Sequence, residues 1–545
     1  MAIPKSYPMR FTPKGLVDAY DASDKFPGAC RILKDLIFDP ANPELVVSRP
    51  GVISRYNFSD FSSPGFISVH AQVGGRMYGM VATSLNAGYD QPFCYDLNAQ
   101  ANVPITGMTA GNVPLSPSPF GPWVPPTITA VGVYVIITHP GFDGTGTNFF
   151  GVIDLTNFNA PVWYSANISG NPLSAAPQAA ANYNDRVYFA VGNQVPYTDV
   201  LQLKRSFASQ QLAVGDSGAI TALSGLPIQT TSSGVVAALC VFKQGQIWQI
   251  TGDTTTNNLS LNWLTLGRGT SMPRSVAVSD NGIYFCDAGG AFMVNIFGAV
   301  KAVEFSPERP ECDIQVPFQN CTDPSRASGA CSGGVYRVCL PTVISGQMVT
   351  NDYWFDEARK RWNGPHSVPY DCACDAGNGL DFIISGYQSG AQLILSQATS
   401  DLDTVYTDLG APQSPLLLSS TFPKTSHMFE KQVVESTQEL SAQGGNAVYT
   451  ITAEDEQGNV LATVTVSITP PGLLWGGGAL WGGGGLWASG QNIPHVYSLP
   501  WPIPVVFQKM AIRISAEPAA AVQIGTHYAR YQDTGYTNLT KANTP

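Results

Sequence analysis

Six of the ten cysteines lie between Cys312 and Cys374, so thiol chemistry is the first possibility that this sequence raises. A structural zinc site needs cysteines in pairs, with two to four residues between the partners. The closest pair, Cys372 and Cys374, has one residue between its members, and the other four cysteines are further apart. Two alternatives remain open: buried free thiols, or a disulfide that forms after release from the cell. The spacing predicts no metal site.

Carboxylates are the next candidates, because most glycoside hydrolases need two of them beside the scissile bond. Asp401, Asp403 and Asp408 are close in sequence, and Asp371 and Asp375 flank the cysteine pair. The chain has 39 acidic residues, and turns favour aspartate, so such groups arise without any function. Calcium-loop, phosphate-loop and nucleophile-elbow motifs are absent, and the histidines lack metal-ligand spacing. The sequence therefore predicts no cofactor and no enzymatic activity.

The tightest basic cluster is the run from Arg359 to Arg361, beside Trp362. It is either a contact for phosphate or an acidic partner, or a solvated β-turn, and we favour the turn. Over the whole chain, 28 basic residues stand against 39 acidic ones, which gives a formal net charge of −11. Proteins that grip nucleic acid cluster their positive charge. An acidic surface repels phosphate instead, which suits DNA that slides past without sticking.

The segment 472–490 repeats a Leu-Trp pair three times, with glycines between the copies. The repeated residues are Leu474, Trp475, Leu480, Trp481, Leu486 and Trp487. Dense glycine disfavours a helix, and a six-residue spacing puts successive tryptophans on one face of an extended chain. Because tryptophan is enriched at binding hot spots, we interpret these residues as an interface anchor or as a hydrophobic gate in a pore. The alternative is a loop that packs on its own domain.

The elements that position these residues are predicted to be β-strands. Charged residues make up 12% of the chain, about half of the usual ~25%, so long solvated helices are not expected. One unit recurs, a turn followed by a short strand with a large apolar centre, and its centres are Tyr78, Tyr134, Tyr188, Trp248, Tyr284, Tyr336 and Leu393. Such a repeat predicts an all-β chain with a β-propeller of six or seven blades. A pair of β-sandwiches with long loops is the alternative.

Changes in composition and residue pattern along the sequence predict that the chain has three parts. Residues 1–60 form an N-terminal extended segment, residues 61–420 the propeller, and residues 421–545 a smaller β-sandwich-like domain that contains the Leu-Trp segment. Within the first part, Ala29–Phe38 fits a helix and a strand equally well.

No secretory signal is visible in the first residues, and no apolar run approaches the ~20 residues of a membrane span. We therefore expect synthesis and folding in a cytosol, where the cysteines begin as thiols.

Short motifs at both ends of the chain resemble the tail nozzle proteins of short-tailed bacteriophages. They are Gly15–Asp21, Pro27–Ile37 and the turn Arg49–Gly51 near the start, and Ile512–Ile514 near the last strands. The resemblance covers these ends and the propeller layout between them. The Leu-Trp segment is not part of the family's pattern.

The resemblance implies a structural virion protein located in the phage tail and made in the host cytoplasm. It implies a homohexameric ring that retains the genome and passes it during ejection. The implied partners are other copies of the chain, a tail adaptor protein, tail fibre or spike proteins, the host envelope and the passing genomic DNA. Two alternative functions remain open from sequence: a carbohydrate-binding tail component that recognises the host, and a propeller glycosidase.

Overall fold

The computed structural model describes residues 6–17, 28–39, 42, 44–57, 66–82, 89–109, 111–115, 126–200, 202–203, 205–206, 209–231, 234–253, 258–295, 300–302, 314–344, 347–368, 370, 372–375, 382–389, 392–398, 407–422, 429–443, 446–468, 494–518 and 521–536. Nearly all regular structure in this part of the chain is β-strand, as the composition predicts.

The strands of the first half, in chain order, are β1 (Ser6–Phe11), β2 (Gly15–Leu16), β3 (Ala29–Lys34), β4 (Leu36–Phe38), β5 (Val46–Ser48), β6 (Val52–Asn57), β7 (Phe66–Val73), β8 (Arg76–Ala82), β9 (Asp90–Asp96), β10 (Ala101–Asn102), β11 (Thr127–Val131), β12 (Tyr134–Thr138), β13 (Phe150–Asp154), β14 (Val162–Ala166), β15 (Ala179–Tyr183), β16 (Arg186–Ala190), β17 (Gln194–Pro196), β18 (Gln211–Ala213), β19 (Ile220–Thr231), β20 (Gly234–Lys243), β21 (Gln246–Asp253) and β22 (Asn258–Leu266).

The remaining strands are β23 (Met272–Ser279), β24 (Gly282–Asp287), β25 (Gly290–Asn295), β26 (Val300–Ala302), β27 (Ser328–Ser332), β28 (Val335–Ile344), β29 (Gln347–Asp356), β30 (Arg361–His366), β31 (Cys372–Asp375), β32 (Phe382–Ser389), β33 (Gln392–Ala398), β34 (Thr407–Asp408), β35 (Ala411–Pro412), β36 (Leu416–Ser419), β37 (Phe429–Gln443), β38 (Ala447–Glu454), β39 (Val460–Ile468), β40 (His495–Ser498), β41 (Val506–Phe507), β42 (Ala511–Pro518) and β43 (Ala521–Tyr536). Helix is confined to α1 (Val316–Gln319) and a 3₁₀ turn (Pro324–Arg326) in the described residues. No described helix has the length and apolar content to cross a membrane.

The chain divides into two compact units. The propeller unit comprises Val52–Lys360 and Val368–Ser400, and the terminal unit comprises Met1–Gly51, Arg361–Ser367 and Asp401–Pro545.

The propeller unit contains seven blades of antiparallel strands among its described residues. They are β7–β10, β11–β14, β15–β18, β19–β22, β23–β26, β27–β29, and β31–β33 together with β6. The first strand of each blade packs beside the first strand of the next, and β31 packs beside β7, so the blades form a closed circle. The prediction of a β-propeller with six or seven blades is confirmed, with seven.

The circle is closed by strands from distant parts of the sequence. β6 pairs antiparallel with β33, for example Ile53 with Gln397, so the start of the unit completes its last blade. This pairing explains why the unit begins at Val52 rather than at the predicted residue 61.

The hydrophobic cores lie between neighbouring blades. Residues of β8, β12, β13 and β14 share one cluster, and residues of β16, β20 and β21 share another. The recurring tyrosines supply these cores, since the rings of Tyr284 and Tyr336 from neighbouring blades stack 4.7 Å apart, and both side chains are fully buried.

The repeat seen in the sequence mixes two strand positions. Tyr78, Tyr284 and three other centres lie on the second strand of their blades, whereas Trp248 and Leu393 lie on the third. The distances in sequence from Trp248 to the repeat centres before and after it, Tyr188 and Tyr284, are unequal because of this difference in strand position, and no blade is missing between them.

The terminal unit consists of two packed sheets, and each contains strands from both ends of the chain. One holds β1, β4, β5, β37, β40, β41 and β43, and the other holds β2, β3, β30, β36, β38, β39 and β42. Tyr449 joins the two sheets, because its buried hydroxyl donates to the backbone carbonyl of Ser441 on β37.

The division differs from the predicted boundaries at residues 60/61 and 420/421. The N-terminal segment is not a separate part, because β1 pairs with β43 and β3 pairs with β36. Ala29–Phe38, which fits helix and strand in sequence, forms β3 and β4, with Asp35 at a positive φ of 53° between them.

Candidate functional site

The first strands of the blades line a channel in the described part of the propeller unit. Its volume is about 940 Å³, which lies in the range of small-molecule sites. Its walls include Ala179–Asn182 on β15, Ala219–Gly225 around the start of β19, and Gly329–Cys331 on β27. Most of these side chains are small, which leaves the space between the converging strands open.

Two charged residues are found among the described residues of the channel wall. They are Arg274 on β23 and Asp375 on β31. The Ser332 hydroxyl donates to the Asp375 carboxylate at 2.9 Å, and the Arg274 guanidinium donates to the backbone carbonyl of Pro126. The described wall therefore carries one cation and one carboxylate, and the carboxylate accepts a hydrogen bond.

Two thiols, those of Cys331 and Cys374, also line the channel. Burial raises the pKa of the Cys331 thiol well above its ordinary value, and the nearby charges of Glu357 and Asp375 raise it further. Since the thiolate is the nucleophile and the metal ligand, Cys331 is protonated and unreactive near neutral pH.

The cysteines of the described part are free thiols. Of the two alternatives left open by the sequence, this favours free thiols over a disulfide for these residues. They are Cys30, Cys94, Cys240, Cys286, Cys321, Cys331, Cys339 and Cys374. Cys312 and the side chain of Cys372 lie outside the described residues. No group of three or more metal-binding side chains occurs in the described part.

Of the carboxylates that sequence proximity singles out, the structure describes two, Asp375 and Asp408. Asp375 lies in the propeller unit, whereas Asp408 lies in the terminal unit, where it is paired with Arg49. Asp371, Asp401 and Asp403 lie outside the described residues. Asp375 is the single carboxylate described on the channel wall, whereas most glycoside hydrolases use two.

Arg49 of the Arg-Pro-Gly turn lies at the centre of a buried cluster that sequence reasoning missed. Its guanidinium donates to Asp35 at 2.9 Å and to both carboxylate oxygens of Asp408, one of them at 2.9 Å. The Ser367 backbone N–H and hydroxyl donate to Asp35 at 2.9 and 2.7 Å. Asp408 is 359 residues from Arg49 in sequence, so no local pattern could reveal the pair.

The charges within this cluster are strongly coupled. Burial raises the pKa of Asp35, but Arg49, His366 and the hydrogen bonds from Ser367 lower it more, so that the pKa lies below its ordinary value. Burial likewise lowers the pKa of Arg49, and the two aspartates reverse this effect and raise it. The cluster is therefore a charged structural network.

His139 and Asp90 form a second buried pair, in the propeller unit. The distance from His139 Nε2 to Asp90 Oδ2 is 2.7 Å, and the Gly141 backbone N–H donates to Nδ1 at 2.8 Å. Both ring nitrogens have partners and both side chains are fully buried. The pair connects two neighbouring blades and has a structural role.

Arg359 and Lys360 of the basic run lie in a turn, as the favoured interpretation predicts, and Arg361 begins β30. The Arg359 guanidinium donates to Asp356 at 2.7 Å, and Lys360 is exposed at a positive φ of 54°. The predicted interface or gate residues Leu474, Trp475, Leu480, Trp481, Leu486 and Trp487 lie outside the described residues.

No family model and no curated protein matches the chain. Among solved structures, it is similar to an exo-β-1,3-galactanase from Phanerochaete chrysosporium, with 10% identity, a TM-score of 0.26, and coverage of 74% of this chain and 95% of that one. It is also similar to the WD40 β-propeller domain of Doa1, with 10% identity, a TM-score of 0.35, and coverage of 64% and 97%. A third similar structure is a puromycin hydrolase, with 12% identity, a TM-score of 0.34, and coverage of 77% and 62%.

These matches correct the prediction that the chain is not an enzyme. Two of the three proteins named are hydrolases, so the exclusion of catalysis from the sequence alone is wrong. Identities of 10 to 12% and TM-scores of 0.26 to 0.35 assign no activity to this chain.

Proposed function

We propose that this chain is the tail nozzle of a short-tailed bacteriophage, a homohexameric ring that retains the genome and conducts it during ejection. The observation that carries the proposal is the union of the two chain ends in one unit, with the propeller inserted between them. The motifs that resemble nozzle proteins lie at those two ends, and both ends belong to the terminal unit.

The contacts within the terminal unit support this proposal. Arg49 of the Arg-Pro-Gly turn is fully buried against Asp408 from the C-terminal part of the chain. Arg513, in the motif Ile512–Ile514, lies on β42 and forms an ion pair with Glu454 of β38. A base of two packed sheets, held by ion pairs between distant segments, suits a subunit that must keep its shape in a ring.

Charge also supports the proposal. Each copy carries a formal net charge of −11, and an acidic surface repels phosphate, so DNA would pass such a lumen without adhering. The conduit in this proposal is the lumen enclosed by six copies. The propeller channel, at about 940 Å³, has the volume of a small-molecule site.

The proposed partners are further copies of the chain, a tail adaptor protein on one side, and tail fibre or spike proteins and the host envelope on the other. The genomic DNA would pass without sequence-specific binding. In this role the protein is located in the virion tail after synthesis in the host cytoplasm.

The experiment that tests the proposal is the oligomeric state of the purified full-length chain. Light scattering and negative-stain class averages, with and without a lysate of virions, are expected to give six-fold rings with a central pore. A chain that stays monomeric or trimeric, even with tail components present, would contradict the proposal. In that case glycan binding and hydrolysis of β-1,3-galactan are the activities to assay.

A further inference from the structure

The outermost strand of the β19–β22 blade has an open edge. β22 pairs along one side with β21, from Gln246 opposite Leu266 to Asp253 opposite Asn258. On its other side, β22 pairs with no strand of the described chain. Within the described residues, its outer backbone N–H and C=O groups are therefore open to another strand.

This edge is long compared with the outer strands of the other four-stranded blades that follow the order of the chain. β22 has nine residues, whereas β10, β14, β18 and β26 have two, five, three and three. Short outer strands are one means by which proteins prevent edge-to-edge association. A nine-residue strand extends about 30 Å, enough to pair with a full strand of a partner.

Two usual protections of an exposed edge, charged side chains and proline, are missing from β22, although it has a third, a bulge. Its sequence, Asn258–Leu266, contains no charged residue and no proline. The side chains of Trp263 and Leu266 are 63% and 59% exposed. A bulge beside Trp263, where the register with Ile247 and Trp248 shifts, bends the strand. Tryptophan is among the residues most enriched at the centres of protein interfaces.

The charge distribution indicates which partner fits this edge. Copies of a chain with a net charge of −11 repel each other, so contact between them is least opposed where the surface is neutral. Between Asp216 and Arg268 the sequence contains two charged residues, Lys243 and Asp253. Lys243 is buried, and its ammonium group donates to Asp216 at 2.6 Å. This blade is thus a nearly neutral surface on an acidic protein.

We propose that the β22 edge is a contact between protomers, where an extended segment of a second copy adds to the blade as a fifth strand and covers Trp263 and Leu266. The inference rests on the proposed homo-oligomeric function and names one surface that builds the ring. The contact is head-to-tail, because a closed six-fold ring joins two different surfaces of neighbouring subunits.

The test compares the full-length chain with Trp263→Lys and with Thr465→Lys, by mass photometry over a concentration series. Thr465 provides the matched control, because it is exposed on β39, another nine-residue uncharged strand at the end of a sheet. A lysine at position 263 is expected to weaken assembly by about tenfold or more, while the control assembles as the unchanged chain does. Ser260→Lys, which replaces an exposed polar side chain on the same edge, repeats the test if Trp263→Lys does not fold.

The outcomes separate this inference from the proposed function. Rings that persist unchanged in both β22 variants would overturn the β22 contact and leave the nozzle proposal standing. An equal loss of assembly in Thr465→Lys would also overturn it. An assembly other than a ring that dissociates only in the β22 variants would support the contact and contradict the nozzle. A chain that is monomeric at every concentration would overturn both.

Discussion

The role of Arg49 in the Arg-Pro-Gly turn follows from the residues that it contacts in the folded chain. The residue is fully buried, and its charge is balanced by Asp35 and Asp408, two aspartates that lie far apart in sequence. Removal of one partner from such a network leaves a charge without compensation in a buried site, which costs far more than the loss of an exposed pair. The Arg-Pro-Gly turn is therefore a structural anchor of the terminal unit.

We predict that Arg49→Met lowers the free energy of unfolding by about 3–5 kcal/mol, because it leaves two aspartates buried without a cation. Chemical denaturation followed by circular dichroism measures this change. Arg10→Met is the control in the same unit, since Arg10 and its partner Glu44 have side chains 52% and 62% exposed. Loss of such a pair costs about 0–1 kcal/mol, and equal losses in the two variants would contradict the structural role of the cluster.

His527 provides a prediction on pH dependence. The ring is fully buried on β43 and its Nδ1 lies 3.2 Å from the Gln438 side-chain oxygen. Burial lowers the pKa of His527 from its ordinary 6.5 to about 4. Between these values the unfolded chain binds a proton that the folded chain does not, so stability falls as the pH falls from 6.5 towards 4.

The expected contribution of His527 over that range is about 3 kcal/mol, from the size of the shift. Unfolding free energies measured at several pH values between 7.5 and 5 should show a weaker pH dependence in His527→Gln than in the unchanged chain. His495→Gln, at an exposed position on β40, is expected to retain the full dependence. The same slope in all three proteins would show that His527 does not titrate as described.

At the scale of the elements, blade geometry depends on residues with no side chain. Gly151 on β13 lies against the ring of Trp163, which is 1% exposed and donates from Nε1 to the backbone carbonyl of Asn112 at 2.9 Å. A methyl group at position 151 would overlap this ring, and the ring is fixed by its hydrogen bond and by the surrounding core.

We predict that Gly151→Ala destabilises the propeller unit by about 1–3 kcal/mol, the usual cost of excess volume in a packed core. Thermal unfolding measures the effect. Gly245→Ala is the control, because a methyl group there would meet no atom within 4 Å. Its expected effect is within about 0.5 kcal/mol. A Gly151→Ala protein as stable as the control would indicate that the tryptophan can shift at little cost.

The repeated aromatic strand predicted the propeller because most of its tyrosines pack inside the propeller unit. Tyr78, Tyr188, Tyr284 and Tyr336 are fully buried. The same pattern could not show which position a strand takes in its blade. Large apolar residues occur at the centres of both second and third strands, as with Tyr284 on β24 and Trp248 on β21. The local sequence indicates that a strand faces a core, but it does not indicate the position of that strand in the sheet.

At the scale of the whole molecule, the propeller is an insertion into a unit built from the two chain ends. The predicted division into consecutive parts failed to anticipate this arrangement, because the pairings of β1 with β43 and of β6 with β33 connect strands hundreds of residues apart. Ring assembly and its β22 contact are the predictions that belong to this scale, and both concern surfaces that a single chain leaves open.

The sequence by itself determined the all-β class, the propeller and the acidic surface, because composition, alternation and net charge act locally or additively along the chain. Only the tertiary structure decided which residues share a site. It placed Asp408 beside Arg49 and Asp375 on a channel wall, although both belong to groups of neighbouring aspartates in sequence. It also left β22 as a long neutral edge. Strand pairing between distant segments determines which residues become neighbours. Backbone N–H and C=O groups are the same in every strand, so they do not specify which distant strand will be the partner.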